Sequence, residues 1–422
     1  MTSPQTLAEK ILAKKSGQKE VHAGQIVSGK VDVAMSHENG RMVKLSFEKI
    51  GVKKVWDPDK IMIIFDHRVP AESERTAAGQ KELREFVRAQ GIKNFYDINI
   101  GVCHQVLVEE GFSRPGILLV GTDSHTTTAG ALGAFATGIG ATEMAAVWAT
   151  GELWLLVPES LKFVVDGKLP KGVYAKDVIL NIIATIGADG ADYKAIEFTG
   201  STISAMDISS RMVLSNLAME AGAKVAFVEP DEITEEWVKP RARGHYEMLK
   251  ADPDATYLSE NHIDAAKLVP QVACPHGVDN VKPLTDVQGT KIHQAVIGSC
   301  TNGRLDDLRE AAKILKGKKV HKEVRLLVVP ASWKVFSDAL KEGIIETLVD
   351  SGAVLVNAGC GPCLGAHEGC LAPGEVAIAS TNRNFQGRMG SAEAFVYLAS
   401  PASVAASALE GVITDPRKYM EA

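Results

Sequence analysis

Three cysteines carry the most specific chemistry in the chain. Cys360 and Cys363 lie in Val354-Leu-Val-Asn-Ala-Gly-Cys360-Gly-Pro-Cys363-Leu-Gly, a Cys-x-x-Cys on a Gly/Pro turn after an apolar, β-branched run. Two thiols at that spacing suit a redox pair or half of a zinc site. Cys300, in Ile297-Gly-Ser-Cys300-Thr-Asn-Gly, also follows an apolar run. Three thiolates arriving from two strand ends suit an iron–sulfur cluster that lacks one protein ligand. Such a cluster leaves one iron open, which is what a Lewis-acid catalyst needs. The competing donor set is a zinc site of Cys360, Cys363, His367 and Cys370.

Titratable residues follow other apolar runs. Asp66-His67-Arg68 succeeds Lys60-Ile-Met-Ile-Ile-Phe65. A strand that hands charged residues to the next loop is how an α/β sheet presents catalytic groups, though a solvated charge pair would look the same. His104, in Gly101-Val-Cys103-His104-Gln105, is a single histidine of the kind that is more often structural. Asp123 and His125, in Gly121-Thr-Asp123-Ser-His125, are spaced to form a carboxylate–imidazole pair that sets tautomer and pKa. Glu197 is one acid in a short strand, a position that is usually solvent-facing. Ser380-Thr-Asn382-Arg383-Asn-Phe-Gln-Gly-Arg388 closes the series with two arginines in a polar loop.

The elements that must position these groups alternate strand and helix, the pattern of an α/β protein. Helices are expected over 4–16, 72–90, 130–150, 177–186, 206–221, 305–315 and 332–343. Strands are expected over 59–65, 95–100, 116–120, 161–165, 195–200, 223–228, 324–329 and 376–379, with a strand pair over 24–35. The small-residue helix over 130–150 could offer its first-turn N–H groups to an anion. No Gly-x-Gly-x-x-Gly follows a strand to suggest a dinucleotide. The stretch 152–158 reads as a switch between domains, and 231–286 as a polar, loop-rich segment with one surface helix and a linker. Polar loops recurring after strands at Asp66, Asp123, Cys300, Cys360 and Arg383 suggest several strand ends facing one cleft.

Composition sets the limits. A chain of 422 residues predicts about three domains, placed at 1–158, 159–286 and 287–422. The net charge of −6 does not suggest a nucleic-acid surface, so an anionic substrate would need local positive charge. Six scattered cysteines form no disulfide framework and fit a reducing, cytoplasmic compartment. The N-terminus lacks a signal-peptide apolar region. The most membrane-like stretch, 129–157, is broken by Glu143 and Glu152, so no membrane span is expected.

Gly-Ser-Cys300-Thr-Asn, Cys360-Gly-Pro-Cys363 and Asn382-Arg383-Asn-Phe-Gln-Gly-Arg388, in that order, resemble the aconitase family of iron–sulfur hydro-lyases, and most of all its two-subunit members. The resemblance runs from about Gly24 to the C-terminus. It implies an aconitase-like three-domain α/β/α architecture around a central cluster cleft, without the swivel domain that carries the family's serine base. The chain ends soon after the arginine loop, so the base is expected on a small swivel-domain partner subunit.

The resemblance further implies one [4Fe–4S] cluster per subunit on Cys300, Cys360 and Cys363. It places Asp66, His67, His104, Asp123, His125 and Glu197 around the open iron, with Asp66 and His67 helping to protonate the departing hydroxyl. Asn382, Arg383 and Arg388 are implied to hold a substrate carboxylate, and planar guanidinium forks suit that task.

The implied reaction is isomerisation of a 2-hydroxy dicarboxylate. Isopropylmalate, in leucine biosynthesis, is the first expectation; homoaconitase-type, citramalate or methylated-malate substrates are the alternatives. A cluster-linked RNA-binding regulator is a further reading, which the acidic charge and intact Asp–His pairs oppose. The segment Met35-Ser-His37-Glu-Asn-Gly-Arg41 departs from the Asn-Asp or His-Asp plus Thr pattern usual in the family's large subunits.

Overall fold

The structure, a computed structural model, describes residues 3–365 and 367–420. Its α/β character follows from short apolar strands that alternate with amphipathic or small-residue helices. The first extended sheet is a five-stranded parallel sheet in the order Asn94–Tyr96, Ile61–Ile64, Val33–Ser36, Leu118–Gly121, Phe135–Gly138. Its three central strands are buried on both faces, which explains their continuous, mostly apolar runs. The chain first builds outward from Val33–Ser36 in one direction and then returns to its other side. That reversal makes a switch point, where loops at the carboxyl ends of neighbouring strands diverge and leave a crevice. His37, Asp66 and Asp123 all lie just beyond strand ends on that side.

A second parallel sheet has the order Val225–Val228, Ala195–Thr199, Ser160–Asp166, Ser259–Asp264. The third has seven strands. Five are parallel, in the order Phe395–Leu398, Val376–Ala379, Gln294–Gly298, Arg325–Val329, Val354–Leu355. Gln271–Ala273 and Val281–Pro283 add an antiparallel edge. Its switch point lies between Gln294–Gly298 and Val376–Ala379. Cys300 follows the first of these strands and Asn382-Arg383 the second, and the backbone N–H of Gly298 donates to Ser380 Oγ at 3.0 Å. Two switch points therefore supply the site from two sheets.

Four expectations need correction. The stretch 130–150 is not one helix. A 3-10 helix, Ser124–Leu132, ends at Gly133 with φ +75°, a strand Phe135–Gly138 completes the first sheet, and only Ala141–Thr150 is α-helical. A Gly- and Ala-rich run commits weakly to helix, and pairing with Leu118–Gly121 decides its middle. The strands expected as a pair over 24–35 do form, but in different sheets: Ile26–Lys30 pairs antiparallel with Glu152–Leu156, while Val33–Ser36 enters the first sheet.

The third correction concerns 231–286, which holds the helix Glu232–Val238 and three strands, two of them in the third sheet. Those strands are short, and Ser259–Asp264 alternates half-buried with exposed residues, so no apolar run marked it. The fourth is an unexpected helix, Gly40–Ile50, directly after the atypical His37–Asn39 segment. No helix among the described residues is long and apolar enough to cross a membrane.

Candidate active site

Asp123 is the hub of the site. It caps the 3-10 helix Ser124–Leu132, its side chain accepting from the backbone N–H of His125 at 2.8 Å. Capping explains why an acid sits there, yet the same carboxylate meets three imidazoles. His104 Nε2 lies 2.8 Å away, His67 Nε2 3.4 Å and His125 Nδ1 3.6 Å. Burial alone would raise the Asp123 pKa, but the hydrogen bond and charge of His104 and the bonds from His125 and His67 hold it well below the usual carboxylate range. Asp123 is therefore an anion at neutral pH.

Asp66 follows the strand Ile61–Ile64 and is fully enclosed. One oxygen lies 2.6 Å from His67 Nδ1, and the other accepts the N–H of Cys103 at 2.6 Å, at the start of the helix Cys103–Glu109. The carboxylate thus satisfies an orphan helix N–H while orienting a histidine. Burial works against charge on His67, but the Asp66 charge and hydrogen bonds to Asp123 and Asp66 outweigh it, so its pKa rises well above the ordinary value. His67 is an imidazolium held between two carboxylates. His104 differs: burial dominates and lowers its pKa, so it is neutral, donating Nε2–H to Asp123 while Nδ1 has no partner among the described residues.

Glu220 completes the set. His125 Nε2 lies 2.8 Å from it, and Arg383 Nε donates to its two oxygens at 3.0 and 3.2 Å. Arg383 Nη2 donates to Ser124 Oγ at 3.0 Å. The planar fork is thereby fixed, leaving Nη1 without a partner among the described residues.

The three thiols are buried, and Asn382 links two of them. Its Oδ1 accepts from Cys363 at 3.3 Å, while Nδ2 donates to Cys300 at 3.3 Å and to Thr301 Oγ1 at 3.1 Å. The side chain is fully engaged there, so it frames the sulfurs rather than reaching for a carboxylate. Asn216 Nδ2 also donates to Cys300, at 3.3 Å, and Arg388 Nη2 approaches Cys363 at 3.6 Å. The three thiols differ: burial pushes Cys300 up to about 11 despite its N–H donors, and the bond with Cys363 together with burial holds Cys360 well above the usual thiol value. Cys363 is lowered well below the usual thiol value, chiefly by its bond with Cys360 and then by Arg388, against the effect of burial.

Backbone geometry brings the sulfurs in. Gly298 has φ +143°, and a Cβ there would stand 2.1 Å from Val329 O. Ser299 then takes φ +67°, a left-handed conformation that is costly for a non-glycine residue and delivers Cys300 at the strand's end. A Cβ on Gly359 would stand 2.5 Å from Asp66 O, so only glycine lets the Cys360 turn close on the histidine cluster, where Cys360 N–H donates to that carbonyl at 2.9 Å.

These thiols fit a cluster better than a zinc ion. Tetrahedral zinc at about 2.3 Å from each sulfur needs sulfurs within roughly 3.8 Å of each other. Among the described residues, the group of potential ligand atoms within 4.8 Å of one another is His37, Glu38, Asp66 and His67, not the cysteines. Even that group has its lone pairs engaged, since Glu38 accepts from the N–H groups of His67 and Arg68 at 3.0–3.1 Å. The zinc set of Cys360, Cys363, His367 and Cys370 does not assemble: Cys370 is exposed with its thiol on Gly365 O, and His367 Nε2 lies 3.0 Å from Pro70 O.

Glu197 does not join the site. Its oxygens accept from the N–H of Leu7 at 2.9 Å and Tyr257 Oη at 2.8 Å, tying the N-terminal helix to the second sheet. The acid beside His125 and Arg383 is Glu220. A lone carboxylate in the otherwise apolar Leu217-Ala-Met-Glu220-Ala was the sequence signal for it.

Burial pushes the Glu197 pKa up to about 7, outweighing its hydrogen bonds. A carboxyl with a raised folded pKa binds more protons folded than unfolded, so its contribution to stability declines as pH rises from 4.5 through about 7. Glu197→Gln should flatten that decline and leave turnover unchanged. Thermal unfolding at about pH 5.5 and about pH 8 measures it, and a collapse of kcat would return Glu197 to the site.

The residues that sequence reading missed share one feature. Glu220, Asn216, Lys176 and Arg304 lie in runs that read as core helix or cap. Lys176 is fully buried and donates to Ser380 O and Thr381 O. Arg304 grips the Cys300 turn, with Nη2 on Cys300 O at 2.7 Å and Nη1 on Thr301 O at 2.6 Å.

Comparison with known proteins agrees with this geometry. The aconitase family (aconitate hydratase) matches residues 9–411. The probable 3-isopropylmalate dehydratase large subunit of Methanothermobacter thermautotrophicus is 58% identical, over 97% of this chain and 98% of its own length. The 3-isopropylmalate dehydratase large subunit 1 of Methanopyrus kandleri is 54% identical over 98% of this chain and 99% of its own. The probable methanogen homoaconitase large subunit of Methanothermobacter thermautotrophicus is 51% identical over 98% and 97%. A match of that length, with the cysteine and arginine loops converging as described, leaves one conclusion: the chain belongs to the aconitase family.

Proposed function

We propose that this chain is the large, cluster-bearing subunit of a hydro-lyase that converts 2-isopropylmalate to 3-isopropylmalate by dehydration and rehydration, in leucine biosynthesis. The observation that carries this reading is the meeting of three buried thiols, two of them bridged by Asn382, with the His67–Asp123 pair. Full-length relatives described as 3-isopropylmalate dehydratase large subunits support the substrate. Cys300, Cys360 and Cys363 would hold the [4Fe–4S] cluster, which supplies Lewis acidity at an iron without a protein thiolate.

The chain's own residues do the rest. His67, an imidazolium between Asp66 and Asp123, holds the proton that the departing hydroxyl needs to leave as water. On rehydration it takes the proton back. Arg383, aligned by Glu220 and Ser124, offers Nη1 to a substrate carboxylate, and the Arg388 guanidinium adds positive charge beside Cys363. The C–H proton goes to a base. The carboxylates described here are all engaged in hydrogen bonds, which supports a base on a small swivel-domain subunit. The word "large" in the relatives' descriptions supports the same division. Free thiols and an oxygen-sensitive centre suit the reducing cytoplasm.

Two measurements test this. Cys300→Ser, Cys360→Ser and Cys363→Ser should each abolish the broad visible absorption of the anaerobically reconstituted chain, whereas Cys103→Ser, Cys274→Ser and Cys370→Ser should keep it. Loss at Cys370 with retention at Cys300 would overturn the ligand set. With its small partner, the enzyme should turn over 2-isopropylmalate in preference to homocitrate; the reverse preference would make it a homoaconitase.

A further inference from the structure

Lys176 poses an electrostatic problem. Its ammonium is fully buried, at 0% exposure, in the helix Ala175–Ile186. Among the described residues, no carboxylate oxygen lies within the 4.0 Å of an ion pair. The two acids near it are committed elsewhere. Asp177 accepts from the N–H groups of Gln271 at 2.7 Å and Tyr174 at 2.8 Å. Asp307 accepts from Asn302 Nδ2 at 2.8 Å and from the Arg304 N–H at 3.0 Å. Burial pushes the Asp177 pKa up to about 7, which leaves it only partly ionised near neutrality, and that of Asp307 up to about 6. A buried amine without a counter-ion is pushed toward its neutral form, so holding the ammonium there at neutral pH calls for a compensating anion.

Its contacts show which one. Lys176 donates to the backbone carbonyls of Ser380 and Thr381, immediately before Asn382. Asn382 joins Cys363 to Cys300. The amine thus sits behind the loop that spaces two of the three sulfurs; burial lowers its pKa to about 7, against the charges of Asp307 first and then Cys363 and Cys300. Arg304, likewise buried and without an ion-pair partner among the described residues, grips the carbonyls of Cys300 and Thr301. A doubly positive cubane core carrying three thiolates is a net anion, and becomes more so on reduction.

We propose that Lys176 is a positioning residue for the metal centre: it fixes the backbone that places Asn382 between the Cys300 and Cys363 sulfurs, and it supplies the buried positive charge that balances the cluster bound there. It touches no reacting atom. The inference rests on the reading that Cys300, Cys360 and Cys363 hold the cluster.

The test uses the full chain, reconstituted anaerobically and assembled with its small partner. Iron and sulfide content and visible absorption of the wild type test the cluster reading itself. A wild type without a cluster ends that reading, and this inference with it. The inference has its own readout, the midpoint potential of the cluster followed by electron paramagnetic resonance. Lys176→Gln keeps a donor to the loop but removes the charge; Lys176→Met removes both. Loss of a nearby positive charge disfavours reduction, so the Gln variant should show a more negative potential. A tenfold change in the reduction equilibrium is about 59 mV for one electron. The Met variant should add faster loss of iron and sulfide. A folded Gln variant that cannot retain its cluster also supports the proposal. A Gln variant with the wild-type potential, or one that unfolds, overturns it, because the lysine would then be structural only.

Discussion

Asp123→Asn should reduce kcat by about 10²–10⁴-fold, the usual worth of general acid–base catalysis, while the thiols keep their metal centre. The substitution is nearly isosteric, and the amide oxygen can still cap the helix by accepting from His125 N–H. What it removes is the negative charge that His67, His104 and His125 share. His67 is charged because Asp66 and Asp123 overcome its burial. With one of the two neutralised, desolvation gains ground and the His67 pKa falls. The sign follows: a histidine that must be protonated to act fails as pH rises through its pKa. The alkaline limb of the kcat profile should therefore move to lower pH. Visible absorption should be unchanged, since Asp123 bonds none of the three cysteines. A profile that keeps its alkaline limb, or an Asn variant that loses its cluster, would remove Asp123 from this role.

Asp66 is a less clean probe. It also accepts the Cys103 N–H, a charge-assisted bond worth about 1.5–3 kcal/mol, so Asp66→Asn mixes a catalytic loss with a loss of local stability. The comparison separates the two acids. Asp123 is a hub for protons, whereas Asp66 also anchors a helix.

Much of this site was legible in the sequence because it lies at strand ends. Cys300, Asp66, Asp123 and Arg383 follow apolar runs, and a parallel sheet directs such residues to its carboxyl edge. Where an element ends is a local property of sequence, so those positions could be read. Glu220 could not be, because nothing local says that the 3-10 helix Ala218–Ala221 turns one carboxylate toward His125. Glu197 misled for the converse reason: it is a strand acid, but it sits in mid-strand with its side chain on Leu7 and Tyr257. Asn382 was placed in the right loop with the wrong task, since only the third sheet's strand order reveals that its amide lies between two sulfurs. The Gly133 break was illegible too. Small residues permit helix and strand alike, and pairing across the sheet made the choice.

The purified chain alone should dehydrate no 2-hydroxy acid at a measurable rate. Removing an unactivated C–H proton requires a base with a free lone pair that faces substrate. Asp66 and Asp123 spend their oxygens on histidines and helix N–H groups. Glu220 is held by His125 and Arg383. His67 and His125 have raised pKa values and are occupied on their carboxylate-facing nitrogens. His104 Nδ1 is unpartnered, but it is buried away from solvent. Without a base, general-base catalysis of about 10²–10⁴-fold is lost, and an uncovered cleft also admits water that weakens every electrostatic contact in it. The chain should nevertheless take up its metal centre, because all three thiols, and the Asn382 that bridges two of them, are its own. Adding the small subunit should restore turnover, rising to a stoichiometric end point in titration. Turnover by the rigorously purified chain would place the base within it, and His104→Asn would then be the next variant to make.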